Sequence, residues 1–143
     1  MKIVIIDGQG GALGKSLITA LKKILPAAPE CEIMAIGTNS AATSVMLGAG
    51  ADSAATGENP VKVACRDAQI IAGPVGIVVA DSMFGEITPA MAASIGGSRA
   101  RKILIPVNKC DISVVGSEDL PYSEYVRLAS MMILDEVKRA ALS

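Results

Sequence analysis

Apolar and polar positions along the chain alternate between two periodicities, that of a buried strand and that of an amphipathic helix. Residues 2–6 form a short β-branched run, which is typical of a strand in a parallel sheet. Apolar residues then recur at helical spacing from Leu13 to Ile24, with lysines on the other face. This pattern predicts a first strand that runs through a short turn into a first helix, ended by Pro26.

The same alternation continues to the carboxyl end. Further strands are expected over 31–36, 69–72 and 102–107, with shorter candidates over 51–59 and 112–115, and helices over 42–49, 59–66, 88–97 and about 121–141. Asn59 and Pro60 are expected to cap the second of these helices, and Thr88 the third. Residues 77–80 fit either a strand or a helix, so the strand order around 69–80 stays open.

Strands that alternate with helices predict an α/β fold. We expect a Rossmann-like three-layer domain, with a mostly parallel sheet flanked by helices, that occupies residues 1–143 as a single domain.

Composition narrows the class of partner. The formal net charge is −1 with no basic stripe, which argues against binding to nucleic acid or to a membrane surface. Asp7 interrupts the first apolar run too early for a signal peptide, so we expect a cytoplasmic protein. Hydrophobic residues make up 51% of the chain, and the apolar surface left over favours a homo-oligomer, a dimer.

The turn after the first strand, in the segment IVIIDGQGGALGKS, is rich in glycine. Main-chain N–H groups at a helix start attract anions, and glycine lets a ligand approach them closely. The spacing departs from the dinucleotide fingerprint G-x-G-x-x-G at Leu13 and from the phosphate loop G-x-x-x-x-G-K-[ST] at Gln9. The glycines expected to shape a phosphate cradle are Gly8, Gly10, Gly11 and Gly14.

Two charged residues flank this loop. A cation such as Lys15 in the first turn of a helix is unfavourable to the helix dipole by roughly 0.3–1 kcal/mol, and a bound anion would reverse this effect. The alternative is that Lys15 simply points into water. Asp7 repels a phosphate unless it binds a metal, caps the turn or contacts a ribose. We include both residues in the expected site, and a tight turn with no ligand stays open as the alternative.

Two later turns belong to the same edge of the expected sheet. Thr38 and Asn39 stand where an NAD site usually carries a carboxylate for the ribose, and we expect them to face a sugar. The alternative is that Asn39 or Ser40 caps the next helix. Gly73 and Gly76 are expected on the far side of the crevice, or in a plain turn.

Candidates for chemistry are few because the chain has no histidine. Asp81 and Glu86 are candidates for acid–base catalysis or magnesium binding. Cys110 is a candidate nucleophile beside Lys109. No two of the three cysteines have metal-ligand spacing, so no resident metal site is expected.

Several segments, in the same order, resemble a family of short bacterial proteins catalogued as a domain of unknown function. They are IDGQGGALGK, AIGTNSAATSVML, ATGEN, GPVGIVVADSMFGEITPAMA and KILIPVNKC. The resemblance covers most of residues 2–116 and implies a Rossmann-like fold in a bacterial cytoplasm. It implies no activity and no catalytic residue.

We expect the chain to bind a nucleotide or dinucleotide phosphate at the loop from Gly8 to Gly14, with NAD(P) as the first ligand to consider. One alternative is a magnesium-dependent enzyme of phosphoryl or group transfer, in which Lys15 and Ser16 contact phosphate. Another is a non-enzymatic dimeric module for regulation or assembly. Gly11→Val is expected to leave the fold intact and abolish binding.

Overall fold

A computed structural model describes residues 1–107 and 111–142 of the chain. Its strands are β1 (Lys2–Asp7), β2 (Glu32–Gly37), β3 (Ser53–Thr56), β4 (Ile70–Pro74) and β5 (Arg101–Ile105). They form one parallel sheet in the order β3-β2-β1-β4-β5. The chain reverses its direction across the sheet between β3 and β4, which puts the switch point between β1 and β4.

Helices cover both faces of this sheet. They are α1 (Ala12–Ile24), α2 (Ser40–Gly48), α3 (Glu58–Ala64), α4 (Pro89–Gly96) and α5 (Tyr122–Leu142), with a 3₁₀ turn over Val75–Val78. One apolar cluster joins the sheet to α1, α2 and α5, and a second joins its other face to α3, α4 and the 3₁₀ turn. The fold is therefore a Rossmann-like three-layer α/β fold, as the sequence pattern predicted.

The apolar side chains of β1 explain why this strand lies in the middle of the sheet. Residues Ile3 to Ile6 are wholly buried, with Ile3 and Ile5 in one cluster and Val4 and Ile6 in the other. Full burial of one such side chain contributes about 1.5–3 kcal/mol. A β-branched run buried on both faces is stable only in the middle of a sheet, and β1 lies between β2 and β4.

Two expectations about elements need correction, those at Asn59 and at 112–115, and the choice left open at 77–80 is resolved. Asn59 lies inside α3, because Gly57 adopts a φ of 103° and starts the helix at Glu58. Residues 77–80 form no strand, since the 3₁₀ turn includes Ile77 and buries it. Residues 112–115 form no strand either, because side chains such as that of Val115 lie fully exposed and bury nothing against the sheet.

Other expectations hold. The Thr88 hydroxyl accepts a hydrogen bond from the Met91 N–H at 3.1 Å, so Thr88 caps α4. The candidate third strand exists, as β3. In the part of the chain that is described, no helix combines the length and apolar character needed to cross a bilayer.

Candidate functional site

A cavity of about 590 Å³ opens at the carboxyl edge of the sheet, over the ends of β1 and β4. Ligands of open α/β folds bind at this edge, beside the switch point. Four groups of residues line it. The first is 7–13, from the end of β1 and the glycine-rich loop, and the second consists of Pro74, Gly76 and Met83. The third is Pro106 and Val107 after β5, and the fourth, around the start of α5, is Asp119, Leu120, Tyr122 and Tyr125.

Asp7 ends β1 beneath this cavity and is only 5% exposed. Its Oδ1 accepts a hydrogen bond from the N–H of Gly8, and its Oδ2 one from the N–H of Gly14, both at 2.8 Å. Burial raises the pKa of the Asp7 carboxyl, and the nearby charge of Glu86 adds to this, although the amides of Gly14 and Gly8 oppose it. Asp7 therefore caps the turn, which is one of the three roles the sequence left open for it.

Other amides of the loop differ in whether they have an acceptor. Gly11 donates to the carbonyl of Gly8 at 2.9 Å and closes a tight turn. Within the described residues, the N–H groups of Gly10 and Ala12 have no acceptor, and both residues line the cavity. These two main-chain donors at the start of α1 are the part of the expected cradle that is available to an anion.

Glu86 holds the other side of the loop. Its Oε1 accepts hydrogen bonds from the Gln9 N–H at 2.9 Å, the Thr38 hydroxyl at 2.6 Å and the Asn39 side-chain amide at 2.8 Å. Burial alone raises the pKa of Glu86, but these hydrogen bonds outweigh it and hold the pKa below its ordinary value. The structure thus gives Glu86 a contact with the loop that sequence reasoning did not foresee.

Thr38 and Asn39 contact Glu86, and neither lines the cavity. Asn39 also accepts a hydrogen bond from the Ala42 N–H at 2.8 Å, so it caps α2, as its alternative interpretation stated. Sugar contact by these two residues stays a prediction.

Two glycines of the expected site serve packing. A Cβ at Gly73 would overlap the carbonyl oxygen of Ile6, so this position must stay small where β4 packs beside β1. Gly11 has a φ of 74°, and a Cβ there would lie 2.9 Å from the Cα of Ala42. The expectation that Gly11→Val leaves the fold intact therefore lacks support, because valine would strain the turn and clash with α2.

The remaining candidates are spread out. Lys15 is exposed and Gly76 lines the cavity. Asp81 is exposed at a φ of 64°, in a turn where its N–H donates to the Ile87 carbonyl at 2.7 Å. Cys110 lies outside the described residues.

A magnesium site of the kind considered for Asp81 and Glu86 usually has one or two carboxylates together with substrate phosphates, whereas a site made by the protein alone needs a larger cluster of ligands. Over residues 1–107 and 111–142, no group of three or more histidine, cysteine, aspartate or glutamate side chains is placed to hold a metal ion.

The two tyrosines are site residues that the sequence analysis missed. Both line the cavity, and the hydroxyl of Tyr125 donates to the carbonyl of Glu118. Burial raises the pKa of Tyr122 to about 12, with a further contribution from the charge of Asp7. A usable signal existed, because an aromatic-poor chain places both its tyrosines three residues apart at the start of one helix.

Comparisons with known proteins identify the family of the chain. Curated protein sequences gave no significant match. Among solved structures, the chain is similar to a dodecameric FMN-dependent UbiX-like decarboxylase from Escherichia coli O157:H7, with a TM-score of 0.43 and 16% identity, over 96% of this chain and 76% of that one. Residues 2–138 match the family described as "Domain of unknown function (DUF3842)", and the chain belongs to that family.

Proposed function

We propose that the chain binds a phosphate-bearing small molecule of the nucleotide class in the cavity above Asp7. The observation that carries the proposal is that two main-chain donors, those of Gly10 and Ala12, border a cavity of about 590 Å³ at the switch point and have no acceptor among residues 1–107 and 111–142. This volume lies in the range of about 300–1,000 Å³ that is usual for small-molecule sites. The phosphate would lie against these amides at the start of α1.

The rest of the lining suits a ring system. Pro106, Val107, Leu120 and Tyr122 add apolar and aromatic surface to the cavity. Such surface buries a base or a flavin ring, and polar groups elsewhere fix the orientation of the ligand.

Charge limits the kind of anion that fits. No lysine or arginine is among the described residues that line the cavity, whereas Asp7 and Asp119 are. Both oxygens of Asp7 already accept main-chain N–H groups, and no described cation offsets the charge that either carboxylate presents to a phosphate. We therefore expect a monoester or a diester of phosphate to bind better than a triphosphate, with burial of the ring supplying most of the affinity.

A thermal-shift screen tests this proposal. The ligands are NAD(H), NADP(H), ATP, GTP, FAD, FMN and AMP, each with and without magnesium. A ligand at a hundred times its Kd stabilises the folded state by about 2.7 kcal/mol. For a domain of this size, we expect a rise in Tm of several degrees.

Gly10→Val identifies the site, because a Cβ at Gly10 meets no atom within 4 Å and a side chain there would cover the free amides. Gly48→Val is the matched control, since Gly48 is equally open but lies in α2, outside the cavity lining. We expect the shift to be lost in the first variant and kept in the second. A shift that survives Gly10→Val, or the lack of a shift with every ligand, would overturn the proposal.

We also propose that the chain forms a homodimer through α5. The helix buries Val126, Ala129 and Ile133 against α1 and β5, while Leu128 and Met131, on its other side, stay 39% and 43% exposed. An apolar strip of this kind on a helix favours a helical partner.

Charge complementarity along α5 favours a second copy in antiparallel orientation. If a two-fold axis passes Met131, Arg127 of one copy lies opposite Asp135 of the other, because each is four residues from the axis. Glu124 then lies opposite Lys138, since each is seven residues from it. A two-fold pairing repeats both contacts, so the interface would be self-complementary in charge and apolar at its centre.

Sedimentation equilibrium of the wild type and two variants tests the dimer. Asp135→Lys sets like charges opposite each other and is expected to weaken association, and adding Arg127→Asp is expected to restore it. A wild type that stays monomeric, or a double variant no more associated than the single one, would overturn this proposal.

A further inference from the structure

The loop has an occupied side and an open side. On the occupied side, near the end of β2, the carboxylate of Glu86 binds the Gln9 amide together with Thr38 and Asn39. On the open side, the cavity extends from the loop toward β4, β5 and the start of α5, and no described residue from the end of β2 lines it. A ligand phosphate at Gly10 and Ala12 is therefore approached from one side only.

Space near Gly8 shows how tightly the occupied side is packed. A Cβ built at Gly8 would lie 2.6 Å from the Thr38 hydroxyl oxygen, 2.8 Å from the Met83 sulfur and 3.1 Å from Glu86 Oε1. Distances below 3.0 Å are closer than real Cβ atoms approach. The space next to Gly8 is therefore filled by the side chains of Thr38, Met83 and Glu86, and a ligand group there would have to displace them.

A dinucleotide needs that region. In doubly wound folds it lies across the switch point, with its pyrophosphate on the loop and one ribose held by the residue that follows the second strand. In this chain, Thr38 and Asn39 follow β2, and both already donate to Glu86. A ribose would have to displace three hydrogen bonds to one carboxylate oxygen.

The charge of Glu86 also disfavours a dinucleotide. A carboxylate next to the loop repels the second phosphate of a pyrophosphate, whereas one phosphate at Gly10 and Ala12 lies on the open side. The same oxygen supplies to Gln9 the hydrogen bond that a ligand phosphate supplies to loops of this kind.

Building on the proposed function, we propose that Glu86 fills the subsite for the second half of a dinucleotide, so that the cavity takes mononucleotides and excludes dinucleotides. Glu86 acts here as a specificity-determining residue through space and charge.

Matched pairs of ligands test this inference on the full chain. Dissociation constants are measured by isothermal titration calorimetry for AMP and nicotinamide mononucleotide against NAD⁺, and for FMN against FAD. We expect the mononucleotide of at least one pair to bind the wild type roughly tenfold more tightly, because a site with one half filled loses the contacts of that half. Glu86→Ala is expected to lower this ratio by about fivefold or more.

Glu58→Ala is the matched control. Glu58 also binds the segment that carries Glu86, through the Thr88 hydroxyl at 2.5 Å, but it does not contact the loop. Its removal is expected to leave the ratio unchanged. Where Glu86→Ala does not fold, Glu86→Gln keeps a side chain of similar size and removes its charge, and the ratio is again expected to fall.

The outcomes separate the two proposals. If a dinucleotide binds the wild type as tightly as its mononucleotides, the inference about Glu86 fails and the proposed function stands. If the ratio of the dissociation constants for dinucleotide and mononucleotide is the same in the wild type and in the Glu86 variant, Glu86 does not set specificity and the inference also fails. If no nucleotide of either size binds, the proposed function fails and this inference fails with it.

Discussion

The carboxylate of Asp7 accepts the main-chain N–H of Gly14 at 2.8 Å, which joins the last residue of β1 to the first turn of α1. Its second oxygen accepts the N–H of Gly8, so one side chain spans the loop from its first residue to the helix. The loop is therefore held by the protein's own side chains, and the amides of Gly10 and Ala12 have no acceptor in the described part of the chain.

Asp7→Asn should destabilise the fold. Asparagine has one oxygen and one amide group in place of two acceptors, so one of the two N–H groups would lose its partner. We expect the free energy of unfolding to fall by about 1–3 kcal/mol in urea denaturation at pH 7. Asp119→Asn is the control, since Asp119 lines the same cavity but is exposed, and it should change stability by less than about 0.5 kcal/mol. Equal losses in both variants would contradict the capping role.

The strands and helices of the fold could be read from the sequence because burial and periodicity coincide there. Residues 3–6 are wholly buried, and Leu13, Leu17 and Leu21 of α1 face the sheet, as their spacing predicted. Local signals also placed Thr88 at the start of α4. They failed at Asn59, where the positive φ of Gly57 let the helix begin earlier than its side chains indicated.

The site was less predictable because its key contacts join distant positions. Glu86 reaches Gln9 across 77 residues and Thr38 across 48, through a turn in which Met83 and Phe84 have positive φ. No local pattern specifies such a turn when the residues are not glycine. Glycine spacing located the loop, but it could not tell that Asp7 and Glu86 occupy several of its amides.

Glu86 should make stability depend on pH. Its folded-state pKa lies below the ordinary value of 4.5, so its contribution to stability is present above pH 4.5 and is lost as the pH falls through the folded-state pKa. The Tm difference between wild type and Glu86→Gln, measured from pH 3 to pH 7, should be largest near neutrality and shrink below about pH 4.5. A difference that grows toward acid pH would show that Glu86 is not held as a carboxylate.

Substitution by alanine should destabilise the fold at Gly11 but hardly change its stability at Gly10. Gly11→Ala puts a Cβ 2.9 Å from the Ala42 Cα at a φ of 74°, and it should cost about 1–3 kcal/mol in unfolding free energy. Gly10→Ala meets nothing within 4 Å and should change stability by less than about 0.5 kcal/mol. Chemical denaturation of the two variants makes the comparison, and a larger loss at Gly10 would contradict this difference in packing.

Replacing Lys15 should show whether the positive charge at the start of α1 stabilises or destabilises the folded protein. It lies in the first turn, exposed, where a cation opposes the helix dipole, whereas Lys23 lies in the last turn of the same helix, where a cation is favourable. Lys15→Gln should therefore raise the unfolding free energy by about 0.3–1 kcal/mol and Lys23→Gln should lower it by a similar amount. Both effects should shrink in 1 M salt, where the Debye length is about 3 Å. If Lys15→Gln instead destabilises the ligand-free protein, Lys15 makes a favourable interaction in the fold, which would contradict the unfavourable effect expected from the helix dipole.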